Sequence, residues 1–200
     1  MTSTAELSPE AKANRHSVAH RLREAAQPEH ERKKNVLEAE PARPDYRTSP
    51  ITEAFPWVAT IDRAISKFEL DRSASIFLVV FTSRLKGDAD PSHVKRLHRL
   101  DEATFKAAYD AEGFIDYYAD TANEDGEARS YCLWQVPGAA RIVSHDKSHE
   151  EAQTTVYNYD TYDAEPFMLH RCDAGVWFQH LRTGERSLSI TTKDATSPGG

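Results

Sequence analysis

The residues of this chain that could move a proton gather in its middle. In RSYCLWQVPGAARIVSHDKSHEEA, residues 129–152, a strand-like run stops at Trp134 and a broken helix follows, carrying His145 and His149. An imidazole titrates near neutral pH, so either histidine can serve as a base. His149 falls at the mouth of the second helical piece, where the positive end of the helix dipole disfavours the imidazolium and keeps the ring neutral and basic. Upstream, Asp116 and Tyr118 share one parity of the strand-like run FIDYYAD and should face one layer. A carboxylate, a phenol and His149 around an enolisable or phenolic molecule would let His149 take the proton while Tyr118 steadies the oxyanion. Trp134 would then form a wall, with His145, Ser83 and Tyr159 as further contacts to a hydrophobic aromatic or polyketide-like metabolite. Each residue also has a plainer reading. Trp134 can be core, His149 a solvated surface residue, Asp116 the partner of Arg129 on the neighbouring strand, and Tyr157, Tyr159 and Tyr162 ordinary packing.

Other chemistries find no support. There is no Gly-rich phosphate loop, Walker sequence, G-x-S-x-G elbow, HExxH or Rossmann fingerprint. Cys132 and Cys172 lie in strand-like runs without the paired Cys/His spacing of a zinc site, so both are read as reduced thiols and no metal is expected. The formal charge of −7 argues against a nucleic-acid partner, which needs clustered Lys and Arg. No run approaches the roughly 18 apolar residues of a membrane span, and MTSTAELSPE lacks the basic-then-apolar order of a secretory signal, so a cytoplasmic protein is expected.

The elements that must position these groups follow from the pattern. Residues 1–50 are polar, with helix starts at Ser8-Pro9 and Gln27-Pro28 and interruptions at Pro41, Pro44 and Pro50. This predicts a flexible arm with transient helices. Residues 51–72 carry Phe55, Trp57, Val58, Ile61, Ile65 and Phe68 and form a packing segment. Residues 73–192 read as the main domain, and 193–200 as a disordered tail. SIFLVVFTSRL is a central strand, Asp90-Pro91 opens a helix to about Ala111, and Gly113 ends it. FIDYYAD and ARSYCLWQV form a hairpin about Asp125-Gly126. Pro137 starts a short helix, the Ser148/Glu151 capping box restarts it to about Tyr162, and EPFMLHRC is the next strand. A last hairpin turns around Thr183-Gly184. The order is βαββαβ, a ferredoxin-like α+β sheet with helices on one face and an extra C-terminal hairpin. The first strand is apolar on both parities, Ile76, Leu78 and Val80 against Phe77, Val79 and Phe81, yet one helix layer covers only one side. A twin subunit or the segment 51–70 must bury the other.

This order, with CLWQVPGAARIVSHDKSHEEA across the third strand and last helix, resembles the dimeric α+β-barrel superfamily over residues 74–172, including its antibiotic-biosynthesis-monooxygenase-like domains. Trp134 and Lys147-Ser148-His149 stand where that pattern has a strand-end Trp and a small-residue/His cluster. FLVVFTSRL, GFIDYYAD and SYCLWQV are also similar to an uncharacterised family of small fungal proteins. The superfamily resemblance implies a homodimer whose two sheets face each other as a barrel, with a pocket between each sheet and its own helices. It implies a small-molecule enzyme of secondary metabolism, a cofactor-independent oxygenase, cyclase or isomerase. The alternative is a non-catalytic dimeric ligand- or partner-binding protein. Haem binding comes third: the haem-degrading members place an iron-ligating His where His149 stands, but Ser83 and Val143 occupy positions where those members carry Asn and a second Trp.

Overall fold

The computed structural model describes residues 35–86 and 91–190, without the side chains of 91–95, 97 and 98. The greater part of the expected arm, the tail, and the inward positions Val94 and Leu97 lie outside the described residues. Two helices come first, α1 (Ile51–Ala54) and α2 (Trp57–Lys67). Then follow β1 (Ser75–Leu85), α3 (Pro91–Asp110), β2 (Phe114–Tyr118), β3 (Glu127–Trp134), α4 (Pro137–Ser144), α5 (Lys147–Gln153), β4 (Tyr159–Cys172), β5 (Gly175–His180) and β6 (Arg186–Ile190). The strands make one antiparallel sheet in the order β2-β3-β1-β4-β5-β6. Its first four members with their connecting helices are the ferredoxin-like βαββαβ unit. β5 and β6 are the added hairpin, and Gly184 supplies the positive φ of 75° at its turn.

β1 is central because both of its faces are greasy and each meets a different layer. Phe77 lies between Trp134 and Met168, and Leu78 between Leu133 and Phe167. On the helix side, Phe77, Phe114, Cys132 and Trp134 pack with Phe105 and Ala108 of α3 and Val143 of α4. On the opposite side, Ile76, Leu78, Tyr131, Leu133, Leu169 and Phe178 pack under Phe55, Trp57, Ile61 and Ala64. Trp57, Thr60, Ile61 and Ala64 fall at helical spacing and form the buried stripe of α2. Helices therefore lie on both faces of the sheet. Of the two covers expected for that side, a twin subunit or the segment 51–70, it is the chain's own segment that buries it, so that face no longer argues for a homodimer.

Three boundaries differ from the sequence reading. Packing starts near Val36 rather than Ile51, because Leu37, Ala39 and Tyr46 are buried in the same core as Trp57. The capping box does not form. Asp146 caps α5 instead, its Oδ1 accepting from the Ser148 N–H at 2.8 Å. The second helical piece ends at Gln153, a 3-10 turn over Val156–Asn158 follows, and β4 begins at Tyr159 rather than Glu165. Tyr159 and Tyr162 are drawn into the ladder by pairing with Leu85 and Ser83 of β1.

Candidate functional site

A bulge decides which groups meet. The β2–β3 register shifts between Phe114 and Asp116, so two consecutive side chains leave β2 on the same side. Phe114 and Tyr117 pack in the helix-side core, while Ile115 and Tyr118 pack under the covering segment. Asp116 lies with the second pair: its Oδ2 accepts from Tyr131 Oη–H at 3.3 Å. Asp116 and Tyr118 do share a face, as their parity requires, but it is the face opposite Trp134 and α5. The expected chamber of Asp116, Tyr118 and His149 is therefore divided by the sheet.

On the covered side, Asp116 and Tyr118 clasp the covering segment. Asp116 is fully buried, and burial pushes its pKa up to about 6, offset in part by the Val36, Leu37 and Tyr117 amides. The Asn35 N–H donates to the Tyr117 carbonyl at 2.7 Å beside it. Tyr118 Oη is 3.4 Å from Tyr46 Oη, which donates to Asp120 Oδ1 at 2.6 Å. Asp120 also takes both arms of Arg47 and the Arg129 N–H. Asp116 and Arg129 do not pair: the Arg129 guanidinium turns to the carbonyls of Tyr46 and Ser49.

On the helix side, Trp134 is 2 % exposed, edge-on to Phe114 at 5.3 Å, with Nε1–H directed at Cys132 Sγ at 3.0 Å. It backs the region and presents little surface to a ligand. Burial pushes the Cys132 thiol up to about 12, so it stays protonated. The phenol that shares this side is Tyr117, which donates to Asp101 Oδ1 on α3 at 2.6 Å. Asp101 follows Leu97 and precedes Phe105 by four residues each, so the helical stripe of α3 already placed it inward. Tyr159 is half-buried, 5.6 Å from the Tyr162 ring, and burial followed by the Asp101 charge raises its pKa. Tyr162 is 47 % exposed as a whole, yet desolvation pushes its pKa up to about 12. Ser83 is half-buried and stands opposite Tyr162 in the ladder.

His149 occupies the first turn of α5, half-buried, with Nδ1 screened from water and without a hydrogen-bond partner among the described residues. Burial lowers its pKa, partly offset by the Asp146 charge, which keeps the ring neutral. α5 packs on α3, where Arg96 Nη2 pairs with Glu151 at 3.2 Å. His145 caps α4 and is exposed. Ser83, Trp134 and Tyr159 thus lie on the helix side of the sheet with Tyr117, Asp101 and Tyr162, and His149 sits on α5, which packs on α3 of that same side. Among the described residues no group of three or more His, Cys, Asp or Glu could hold a metal ion, and no helix is long and apolar enough to cross a membrane.

A search of curated proteins finds no match. Among solved structures, the chain is similar to a conserved protein from Methanosarcina mazei Go1, at 16% identity and TM-score 0.40, covering 50% of this chain and 97% of the other. It is similar to a dimeric ferredoxin-like protein of unknown function from Thermobifida fusca, at 11% identity and TM-score 0.39, covering 47% and 91%. It is also similar to SnoaB, a cofactor-independent oxygenase from Streptomyces nogalater, at 12% identity and TM-score 0.38, covering 50% and 97%. The family model that matches is described as PB2B2.08-like; it spans residues 10–180, and the chain belongs to that family.

Proposed function

We propose that this protein is a small-molecule enzyme that works by proton transfer without an organic cofactor, as an isomerase, cyclase or cofactor-independent oxygenase. Its substrate would be a hydrophobic aromatic or polyketide-like molecule bound on the helix side of the sheet. One observation carries the reading: His149 Nδ1 is buried and has no hydrogen-bond partner among the described residues, in a ring that burial keeps neutral. Removing a buried nitrogen from water without a partner costs stability, and such cost is commonly tolerated where the group has work to do. His149 is the base. Tyr159 and Tyr162, whose raised pKa values keep their hydroxyls protonated, supply donors to a developing oxyanion. Tyr117 is a weaker choice for that role because its proton already points at Asp101. Asp116 and Tyr118, on the far side of the sheet, serve the cover instead.

A panel of enolisable aromatic ketones and phenols, with oxygen uptake followed in parallel, tests this. Wild-type protein should turn over at least one member, with kcat/KM rising to a plateau at a pH below the usual histidine midpoint. His149→Gln should lower kcat by about a hundredfold or more with binding retained. Equal rates in the variant would remove His149 as base. The second reading, a non-catalytic binding protein, draws on the closed packing around Trp134 and predicts binding without turnover by either protein. Haem titration should give no Soret shift.

A further inference from the structure

Four of the five buried side-chain atoms without hydrogen-bond partners among the described residues lie on the covered side of the sheet. Three of them, Ser49 Oγ, Thr82 Oγ1 and Arg129 Nε, are neighbours. Thr82 stands opposite Arg129 in the β1–β3 ladder, and the Ser49 carbonyl accepts from Arg129 Nη1. Arg129 is only 9 % exposed, and Nη1 anchors it on two backbone carbonyls, those of Tyr46 and Ser49. The other edge of the guanidinium, Nε with Nη2, has no protein partner among the described residues. Elsewhere in the molecule that same edge grips a carboxylate. Arg47 donates from Nε and Nη2 to Asp120 at 2.8 and 2.8 Å, and Arg171 donates to Asp62 at 2.8 and 3.2 Å. At Arg129 that edge makes no hydrogen bond to a carboxylate among the described residues.

Arg129 and Ser49 line a cleft of about 640 Å³ whose other walls include Phe167, Glu165 and His180. The Glu165 charge acts on Arg129, but no hydrogen bond joins the two. His180 Nδ1 accepts the N–H groups of Arg182 and Thr183 at 3.2 and 3.1 Å, which leaves its ring proton on Nε2, 3.5 Å from Glu165 Oε1. Glu165 is thereby held toward the hairpin. We infer that the cleft binds a small organic acid, its carboxylate on the Nε/Nη2 edge of Arg129 with the Ser49 hydroxyl as a flanking donor. Both groups can donate, and a planar guanidinium matches a planar carboxylate bidentately. Phe167, 6 % exposed and edge-on to His180 at 4.9 Å, gives the acid an apolar wall. The lining carries Arg186 beside Glu165 and Glu185, so with Arg129 its formal charges balance, which favours one negative charge over the two of a phosphate. This site is separate from the helix-side reading and does not depend on it.

Titrating the full-length, 15N-labelled protein with benzoate, benzamide and inorganic phosphate, while following the Arg129 Nε–H resonance, tests the inference. Benzoate should shift the resonance saturably, and benzamide, of the same shape without the charge, should leave it in place. Arg129→Lys keeps a positive charge but loses the fork and should weaken benzoate binding about tenfold to a hundredfold. Ser49→Ala keeps the backbone carbonyl that anchors Nη1 and should weaken it by up to about tenfold. Saturation by phosphate with no response to benzoate would overturn the carboxylate assignment. A resonance indifferent to benzoate and phosphate at about 10 mM, weaker than any built site of this size should require, would overturn the site.

Discussion

The two faces of the sheet are built on different terms. On the covered face aromatic rings interlock: Phe55 meets Tyr118, Tyr131, Trp57 and Tyr46 with centroids 4.9 to 5.7 Å apart, and Trp57 meets Phe178 at 5.5 Å. On the helix face, α5 buries none of its residues fully, Tyr117, Tyr159 and His149 are half-buried, and Tyr162 is exposed. The first face is organised for cohesion and the second leaves polar groups only partly covered. Stability and proton chemistry are therefore separable by substitution.

The sharpest separation should come from Trp57→Ala. Trp57 is 1 % exposed and its Nε1–H donates to the Ile51 carbonyl at 2.6 Å, so truncation leaves a large cavity and an unmet carbonyl. Urea unfolding should show a loss of about 3–5 kcal/mol. A loss under about 1 kcal/mol would mean that the cover is not integral to the fold. Next is Asp116→Asn. The folded-state pKa of about 6 lies above the unfolded value, so Asp116 contributes stability that is full below about pH 4 and lost as pH rises through about 6. At pH 7 the amide should be more stable than wild type, on the order of 1–2 kcal/mol, and the advantage should vanish near pH 4. His149 has the opposite sign: its depressed pKa gives stability present above the usual histidine midpoint and lost on acidification. Acid thus tightens one face while loosening the other. The smallest effect belongs to Tyr117→Phe, which removes the 2.6 Å bond to Asp101 and should cost about 1 kcal/mol by thermal or urea unfolding.

Much of the fold was written in local pattern. The two-sided grease of β1 demanded two covering layers, Gly113 and Gly126 stand at positive φ of 79° and 77° where breaks were expected, and Pro137 opens α4 at its first turn. The candidate site was less legible because strand parity is fragile: one bulge exchanged Tyr118 for Tyr117 on the helix side. Residues 36–46 show no period, and their burial follows from partners such as Asp116 and Asp120 that lie far along the chain. Arg129 gave no sign of its unfilled edge, since only the positions of Tyr46 and Ser49 define which donors are spent.

The cover also sets the order in which the molecule can mature. α1 and α2 leave the ribosome well before β5 and β6, on which they rest, and Asp62 meets Arg171 across 109 residues of chain. The two helices must wait, their apolar stripe exposed, until those strands have been made. Closure of so long a loop slows folding and makes the stretch between synthesis and docking the period of greatest risk of aggregation.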